Sequence, residues 1–158
     1  MTPHAPAPRP DDVAAIVSAH LHLEGPLLPI LHAFQTEYGC VPENVRPAIA
    51  AALNITAAEL HGVISFYHDF RDMPAGRHVL KICRAEACQS VGSDDLAASA
   101  LARLGVEWHG TTQDGAVTVE PVYCLGLCAC APAVMIDGKV RGRMDAARLD
   151  AVLDEVRT

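Results

Sequence analysis

Apolar positions recur at three-to-four spacing through the first 65 residues, which predicts helices there, and alternate at spacing two further on, which predicts strands. Asp11 and Asp12 open a first helix whose apolar stripe is Val13, Ile16, Val17 and His20 or Leu21, stopped at Gly25. A second helix carries Leu27, Ile30 or Leu31, Phe34 and Tyr38. Its prolines, Pro26 and Pro29, are confined to the first turn, where no intrahelical N–H is needed, and Gly39 is its C-terminal stop. Two shorter helices follow over 45–53 and 56–64, the latter opened by Thr56 with Glu59 three positions on, a capping box.

Residues 65–74, SFYHDFRDMP, combine adjoining aromatics with a turn signal and connect two regions of different period. Phe66, Tyr67 and Phe70 divide between core and interface, with at least one expected in the core. Beyond them 79–83 alternates like a strand, 94–104 reads as a helix with Ser93 as cap and Gly105 as stop, and 106–109 reads as a further strand. A turn over 110–115 leads to strands at 117–122 and 133–137. Asp137-Gly138 is a hairpin signal into 139–143, and 145–156 closes the chain as a helix with Leu149, Val152, Leu153 and Val156 on one face. Residues 1–10, rich in Pro and Ala and without period, read as a flexible tail. The expected fold class is therefore α+β: a small helical bundle domain over 11–74, then a thioredoxin-like α/β domain over 75–158 with the order β, α, β, β, β, α.

Composition narrows the partners. At 158 residues, 51% hydrophobic and 20% charged, the chain is globular rather than disordered. With 12 Lys and Arg against 19 Asp and Glu its formal net charge is −7, a surface that repels a phosphate backbone. The helix over 56–64 carries Ala57, Ala58, Glu59 and His61 and no Lys or Arg, so a helix-turn-helix reading fails too, and no nucleic-acid partner is expected. The sequence contains no uncharged apolar run of membrane-spanning length, and its N-terminus lacks a signal-like apolar stretch. A soluble, cytoplasmic protein without direct membrane insertion is expected.

In a reducing compartment six cysteines point to metal or redox chemistry rather than a disulfide framework. Four form two close pairs, Cys83-x4-Cys88 and Cys124-x3-Cys128, with 35 residues between them. Each pair begins where an expected strand ends, so two loops at one edge of a sheet can present four soft, charged donors to one site. Spacing alone admits a 2Fe-2S cluster, a 4Fe-4S cluster or a structural zinc ion. A plant-type ferredoxin run is absent because position 91 is Val, and a Rieske centre is disfavoured because neither pair contains His. Cys128-Ala-Cys130 is the nearest approach to a redox dithiol, which keeps a thiol–disulfide enzyme as an alternative. The eight histidines, among them His20, His22, His61, His68 and His78, offer no pair at ligand spacing on one helix face.

The stretches SFYHDF, Met73 to Cys88 and Cys124 to Val140 resemble the thioredoxin-like 2Fe-2S ferredoxin family, and the LLPILHAFQTEYGCVPENV segment extends the resemblance over nearly the whole chain from about residue 11. That family includes the small iron-sulfur subunit of NADH:quinone oxidoreductase (complex I) and the gamma subunit of NAD-dependent formate dehydrogenases. The resemblance implies that Cys83, Cys88, Cys124 and Cys128 hold one 2Fe-2S cluster, whereas Cys40 and Cys130 match no ligand position. The wording CRAEACQSVG is closer to the formate dehydrogenase gamma subunits.

A non-catalytic, single-electron-transfer subunit is the expected role. Arg84 and the backbone N–H groups of 85–89 and 125–127 are candidates for tuning the cluster. With no Gly-x-Gly-x-x-Gly and no phosphate loop, flavin and NAD chemistry must lie on other chains. The resemblance implies a partner subunit that binds FMN and NAD and carries iron-sulfur centres, and a large molybdenum-type formate dehydrogenase subunit. The corresponding subunit of complex I or of an NAD-linked hydrogenase, and a structural zinc-binding interaction module, are the alternatives.

Overall fold

Pro10 at the first helical position opens α1 (Pro10–His20), one residue earlier than the acidic pair suggested, and Arg9 pairs with Asp12 at 2.9 Å just ahead of it. The computed structural model describes residues 7–157, so most of the expected tail over 1–10 lies outside the described residues. The chain divides between Pro74 and Ala75 into two units.

In the first unit α2 (Leu27–Tyr38) stops at Gly39, whose φ of 74° lets its N–H turn back to the Gln35 carbonyl at 2.9 Å. A single 3-10 turn, Glu43–Val45, then precedes α3 (Arg46–Leu53), so the helix expected from residue 45 begins as a tighter turn. Thr56 and Glu59 make both bonds of the capping box at the start of α4 (Ala57–Phe66). α4 runs two residues past its expected end, so the connector is shorter than 65–74. Ile30, Leu31, Phe34, Ile49 and Leu60 are excluded from solvent between these helices. Phe70 joins that core, while Phe66 (74% exposed) and Tyr67 (44%) stay outside it.

The second unit is built on β1 (His78–Cys83), which pairs in parallel with β2 (Val117–Val122) and antiparallel with β3 (Val134–Ile136); β4 (Lys139–Arg141) completes the order β2-β1-β3-β4. The crossover from β1 to β2 begins with the single turn α5 (Glu86–Gln89) and continues as α6 (Ser93–Leu104). Leu80 and Ile82 of β1 and Val117 and Val119 of β2 face a core closed by α6 and by α7 (Ala146–Arg157). Arg103 of α6 ties the two helices by ion pairs to Asp150 and Asp154 of α7. On the other face of the sheet Lys81 meets its cross-strand neighbour Glu120 at 3.6 Å. The α+β class and thioredoxin-like character expected from the sequence hold.

Two local expectations fail. Residues 106–109 form no strand: Gly105 (φ 65°) ends α6, the Val106 N–H returns to the Leu101 carbonyl, and Gly110 closes on Glu107 at 2.9 Å, so the alternation belongs to a tight return. Main-chain bonds join that return to β2 at Val119, which accepts from the His109 N–H and donates to the Gly110 carbonyl. Ser93 does not cap α6. Gly92 (φ 91°) holds that position, and the Ser93 hydroxyl donates to the Cys83 carbonyl instead. The strands expected over 133–137 and 139–143 are also shorter, three residues each, because the hairpin turn and the return into α7 take their ends. Among the described residues no single helix is long and apolar enough to cross a membrane.

The β3–β4 turn adopts positive φ at Asp137 (48°) and Gly138 (79°), the backbone that a two-residue hairpin requires. The Asp137 carboxylate accepts from the Val79 N–H at 3.0 Å and meets His78 Nδ1 at 2.7 Å, tying the turn to β1. Burial pushes the Asp137 carboxyl up, but the bonds from His78 and Val79 outweigh it and hold the group below the usual carboxylate range. A carboxyl depressed in the folded state contributes stability above its unfolded pKa and loses it as pH falls through the folded value. Asp137→Asn, which tolerates the same backbone, is therefore expected to melt lower than the native protein at neutral pH, with the gap closing on acidification through the carboxylate range. Thermal melts across that range check it; a gap that does not change with pH would contradict the assignment.

Candidate metal centre

Because β1 and β2 are parallel and in register from His78↔Val117 to Cys83↔Val122, the loops that leave their carboxyl ends emerge at the same edge of the sheet. Cys83 is the last residue of β1, and Cys88 lies five positions on in α5. Cys124 lies two residues past β2, and Cys128 opens the 3-10 turn Cys128–Cys130. A glycine at 126 (φ 76°) makes the sharp bend between the second pair.

Each pair is in contact. The Cys124 and Cys128 sulfurs are 3.7 Å apart. Two sulfurs on one tetrahedral metal at about 2.3 Å stand about 3.8 Å apart, so this pair already has the spread that one metal atom demands. Cys83 and Cys88 pack together, the Cys88 thiol favouring the Cys83 thiolate, and charge links both to Cys128, which raises the Cys88 thiol and is itself raised by Cys83. The four thiols therefore share one electrostatic site as two pairs, whereas no group of three or more His, Cys, Asp or Glu donors is gathered for a single ion among the described residues. The pairs differ in surroundings: Cys83 and Cys88 are 2% exposed, packed with Ala133 and flanked by Leu125 and Leu127, while Cys124 and Cys128 face solvent.

Backbone amides converge on the sulfurs. Burial pushes the Cys83 thiol up, but N–H donors from Ala85, Cys124 and Leu125, together with the Cys88 thiol, bring it below its ordinary value. Two of those amides come from the opposite loop, where Cys124 holds a φ of 93°, a conformation that L residues rarely adopt and that is kept where surroundings over-determine it. Successive N–H groups aimed at one acceptor form an anion-binding nest. Burial and the bond to Cys83 raise the Cys88 thiol, with the Ala133 N–H opposing them. The bond to Cys124 and the charge of that sulfur raise the Cys128 thiol. Gly126 donates its N–H to Cys124 Sγ at 3.4 Å.

Of the expected tuning groups, the Gly126 amide thus bonds Cys124 Sγ, and the amides of Ala85 and Leu125 favour the Cys83 thiolate. Arg84 is engaged elsewhere: its guanidinium pairs with Asp94 at 3.2 Å and lies 5.4 Å over the Trp108 ring. The amides of Cys124 and Ala133 were not foreseen, since a backbone donor leaves no mark in residue type. Cys40 is buried in the first unit, where burial raises its thiol, and the Cys130 carbonyl accepts from the Arg143 N–H at 2.6 Å.

Comparison with known proteins bears on what the site holds. The family profile described as thioredoxin-like [2Fe-2S] ferredoxin matches residues 13–157. The chain is 30% identical over 154 residues to the NADP-reducing hydrogenase subunit HndA of Solidesulfovibrio fructosivorans, covering 96% of this chain and 90% of that one. It is 32% identical to an NADH-quinone oxidoreductase subunit of Rhizobium meliloti (93% and 88% covered) and 36% identical to one of Pseudomonas aeruginosa (77% and 75%). Among solved structures, a chain of an NAD+-reducing [NiFe]-hydrogenase in the air-oxidized state superposes with a TM-score of 0.65 at 25% identity. The match covers 80% of this chain but only 22% of that longer one.

A glycine outside the cysteine loops constrains the second pair. A Cβ at Gly142 would lie 2.7 Å from the Cys130 carbonyl oxygen and 2.9 Å from Cys130 Cβ, so the 128–130 turn must move to admit it. Gly142→Ala is expected to lose bound metal to a chelator several-fold faster than the native protein. Gly62→Ala, with open space around the new methyl, should match native retention. Equal retention in both variants would show that the turn does not govern the site.

Proposed function

The chain belongs to the thioredoxin-like 2Fe-2S ferredoxin family, and from that premise we propose that Cys83, Cys88, Cys124 and Cys128 hold one 2Fe-2S cluster in a non-catalytic subunit of a multi-subunit NAD-dependent formate dehydrogenase. The observation that carries the ligand assignment is the pairing of the sulfurs. Two thiol pairs at one sheet edge, one with its sulfurs 3.7 Å apart, fit two metal atoms better than the single tetrahedral ion of a zinc module. When bound, such a cluster takes up and gives back one electron at a time and offers a substrate no exchangeable coordination position.

The chain's own residues prepare that role. Amides of Ala85, Cys124, Leu125, Gly126 and Ala133 meet the negative charge of the thiolates and raise the potential, while the packing of Ala133, Leu125 and Leu127 around the first pair excludes water from one side and lowers it. Cys124 and Cys128 face outward, which leaves the second pair open to approach by an electron partner. That partner is proposed to be a subunit that binds FMN and NAD and carries iron-sulfur centres, with a large molybdenum-type subunit oxidising formate. The formate assignment rests on the wording CRAEACQSVG over 83–92. The second reading, the equivalent subunit of NADH:quinone oxidoreductase or of an NAD-linked hydrogenase, is favoured by the names of the relatives at 30–36% identity.

Purified protein is expected to be red-brown, to bleach with dithionite and to contain about two irons and two sulfides per chain. A colourless protein holding one zinc after anaerobic reconstitution would overturn the assignment. Cys88→Ala or Cys124→Ala should abolish cluster incorporation while Cys40→Ala and Cys130→Ala leave it; loss at Cys130 equal to loss at Cys124 would redraw the ligand set. Isolation of the native complex decides between the two readings: formate-dependent NAD reduction supports the first, NADH-dependent quinone reduction or hydrogen-dependent NAD reduction the second.

A further inference from the structure

The sheet opens by one hydrogen bond next to the first cysteine pair. β1 and β3 are antiparallel with Lys81 opposite Met135, which places Ala133 opposite Cys83. The Cys83 N–H donates to the Ala133 carbonyl at 3.0 Å, as the ladder requires. The return bond, from the Ala133 N–H to the Cys83 carbonyl, is replaced at both ends. The Cys83 carbonyl receives the hydroxyl of Ser93, and Ala133 packs against Cys88, where its N–H favours the Cys88 thiolate. Ser93 is fully buried and makes no capping bond to its own helix, since Gly92 occupies the cap position, so the hydroxyl has no local role in α6. The remaining main-chain contacts of this corner are ordinary: Arg84 N–H meets the Val122 carbonyl at 2.8 Å, and the Gln89 side chain meets the Arg84 carbonyl at 2.9 Å.

We propose that Ser93 is a positioning residue of the cluster site: by occupying the Cys83 carbonyl it frees the Ala133 amide from the β1–β3 ladder and commits that amide to the Cys88 sulfur. The inference rests on the ligand assignment made above. Its physical basis is that a buried carbonyl without a donor is costly, so without the hydroxyl the donor opposite it in the register, the Ala133 N–H, swings back to complete the ladder. Cys88 then loses its amide donor, and the cluster becomes harder to reduce because N–H donors to sulfur favour the reduced, more negative state.

Ser93→Ala removes one oxygen and leaves the helix and the packing volume almost intact. In the cluster-bearing protein, an EPR-monitored redox titration is expected to show the ratio of reduced to oxidised cluster at a fixed potential falling about threefold, a midpoint about 28 mV lower at 59 mV per decade for one electron. Ser93→Thr, which keeps the hydroxyl, is expected to restore the native midpoint. In the metal-free protein the Ala133 amide of Ser93→Ala should become more protected from hydrogen exchange, a readout that needs no cluster. A lower melting temperature with the midpoint and the Ala133 amide both unmoved would reduce Ser93 to a packing residue and overturn the proposal. Native protein that never binds a 2Fe-2S cluster would instead overturn the ligand assignment, so the two failures are distinct.

Discussion

In a parallel strand pair both carboxyl ends lie at the same edge, and on this the site depends. The pairing of β1 with β2, in register to Cys83↔Val122, is what makes two loops separated by 35 residues into neighbours. An antiparallel pairing of the same strands would send Cys83 and Cys124 to opposite edges. The pairing requires a crossover connection, which α6 supplies, and it is held by a core in which Leu80, Ile82, Val117 and Val119 pack against α6 and α7. Burial of apolar surface on one face of the sheet thus sets the two cysteine loops side by side at its end.

The edge so formed is asymmetric. The first pair grows out of the sheet itself, with Cys83 still within β1, and inherits the low exposure of a central strand. The second pair sits on a loop bent by Gly126 and by the positive φ of Cys124, and is open to solvent. The amides of Cys124 and Leu125 favour the Cys83 thiolate, so the loop with the strained residue supports the sulfur of the other. Charge on the thiolates is met by fixed backbone dipoles rather than by a cationic side chain, since Arg84 is committed to Asp94 and Trp108. Fixed dipoles need no reorganisation when the charge of the site changes, which suits a centre that gains and loses an electron.

Substitution of one hydrogen-bond donor for another recurs in this corner. Ser93, one residue inside the start of α6, stands in for the Ala133 amide at the Cys83 carbonyl, and that amide favours the Cys88 thiolate. Gly142, on the far side of the second loop, leaves room for the Cys130 carbonyl. Neither residue belongs to the cysteine pattern, yet one bonds the Cys83 carbonyl and the other lies against Cys130.

Residue types and their periods determined the helices α1, α2, α4, α6 and α7, the stop at Gly39, the capping box at Thr56, the Asp137-Gly138 hairpin and the change of period near residue 75, because each is a local competition between backbone geometry and the burial of one face. The two cysteine pairs and the family resemblance were legible for the same reason, being written in side chains. The false strand at 106–109 shows where that logic stops: alternation over four residues is satisfied equally by a strand and by a tight return between Gly105 and Gly110. Ser93 was misread as a cap because its alternative acceptor, the Cys83 carbonyl, is ten residues away and comes within reach only when α6 docks on the sheet. Tertiary structure alone decided which amides meet which sulfurs and which pair is buried, because a backbone donor has no residue type and its direction is set by the packing of distant elements.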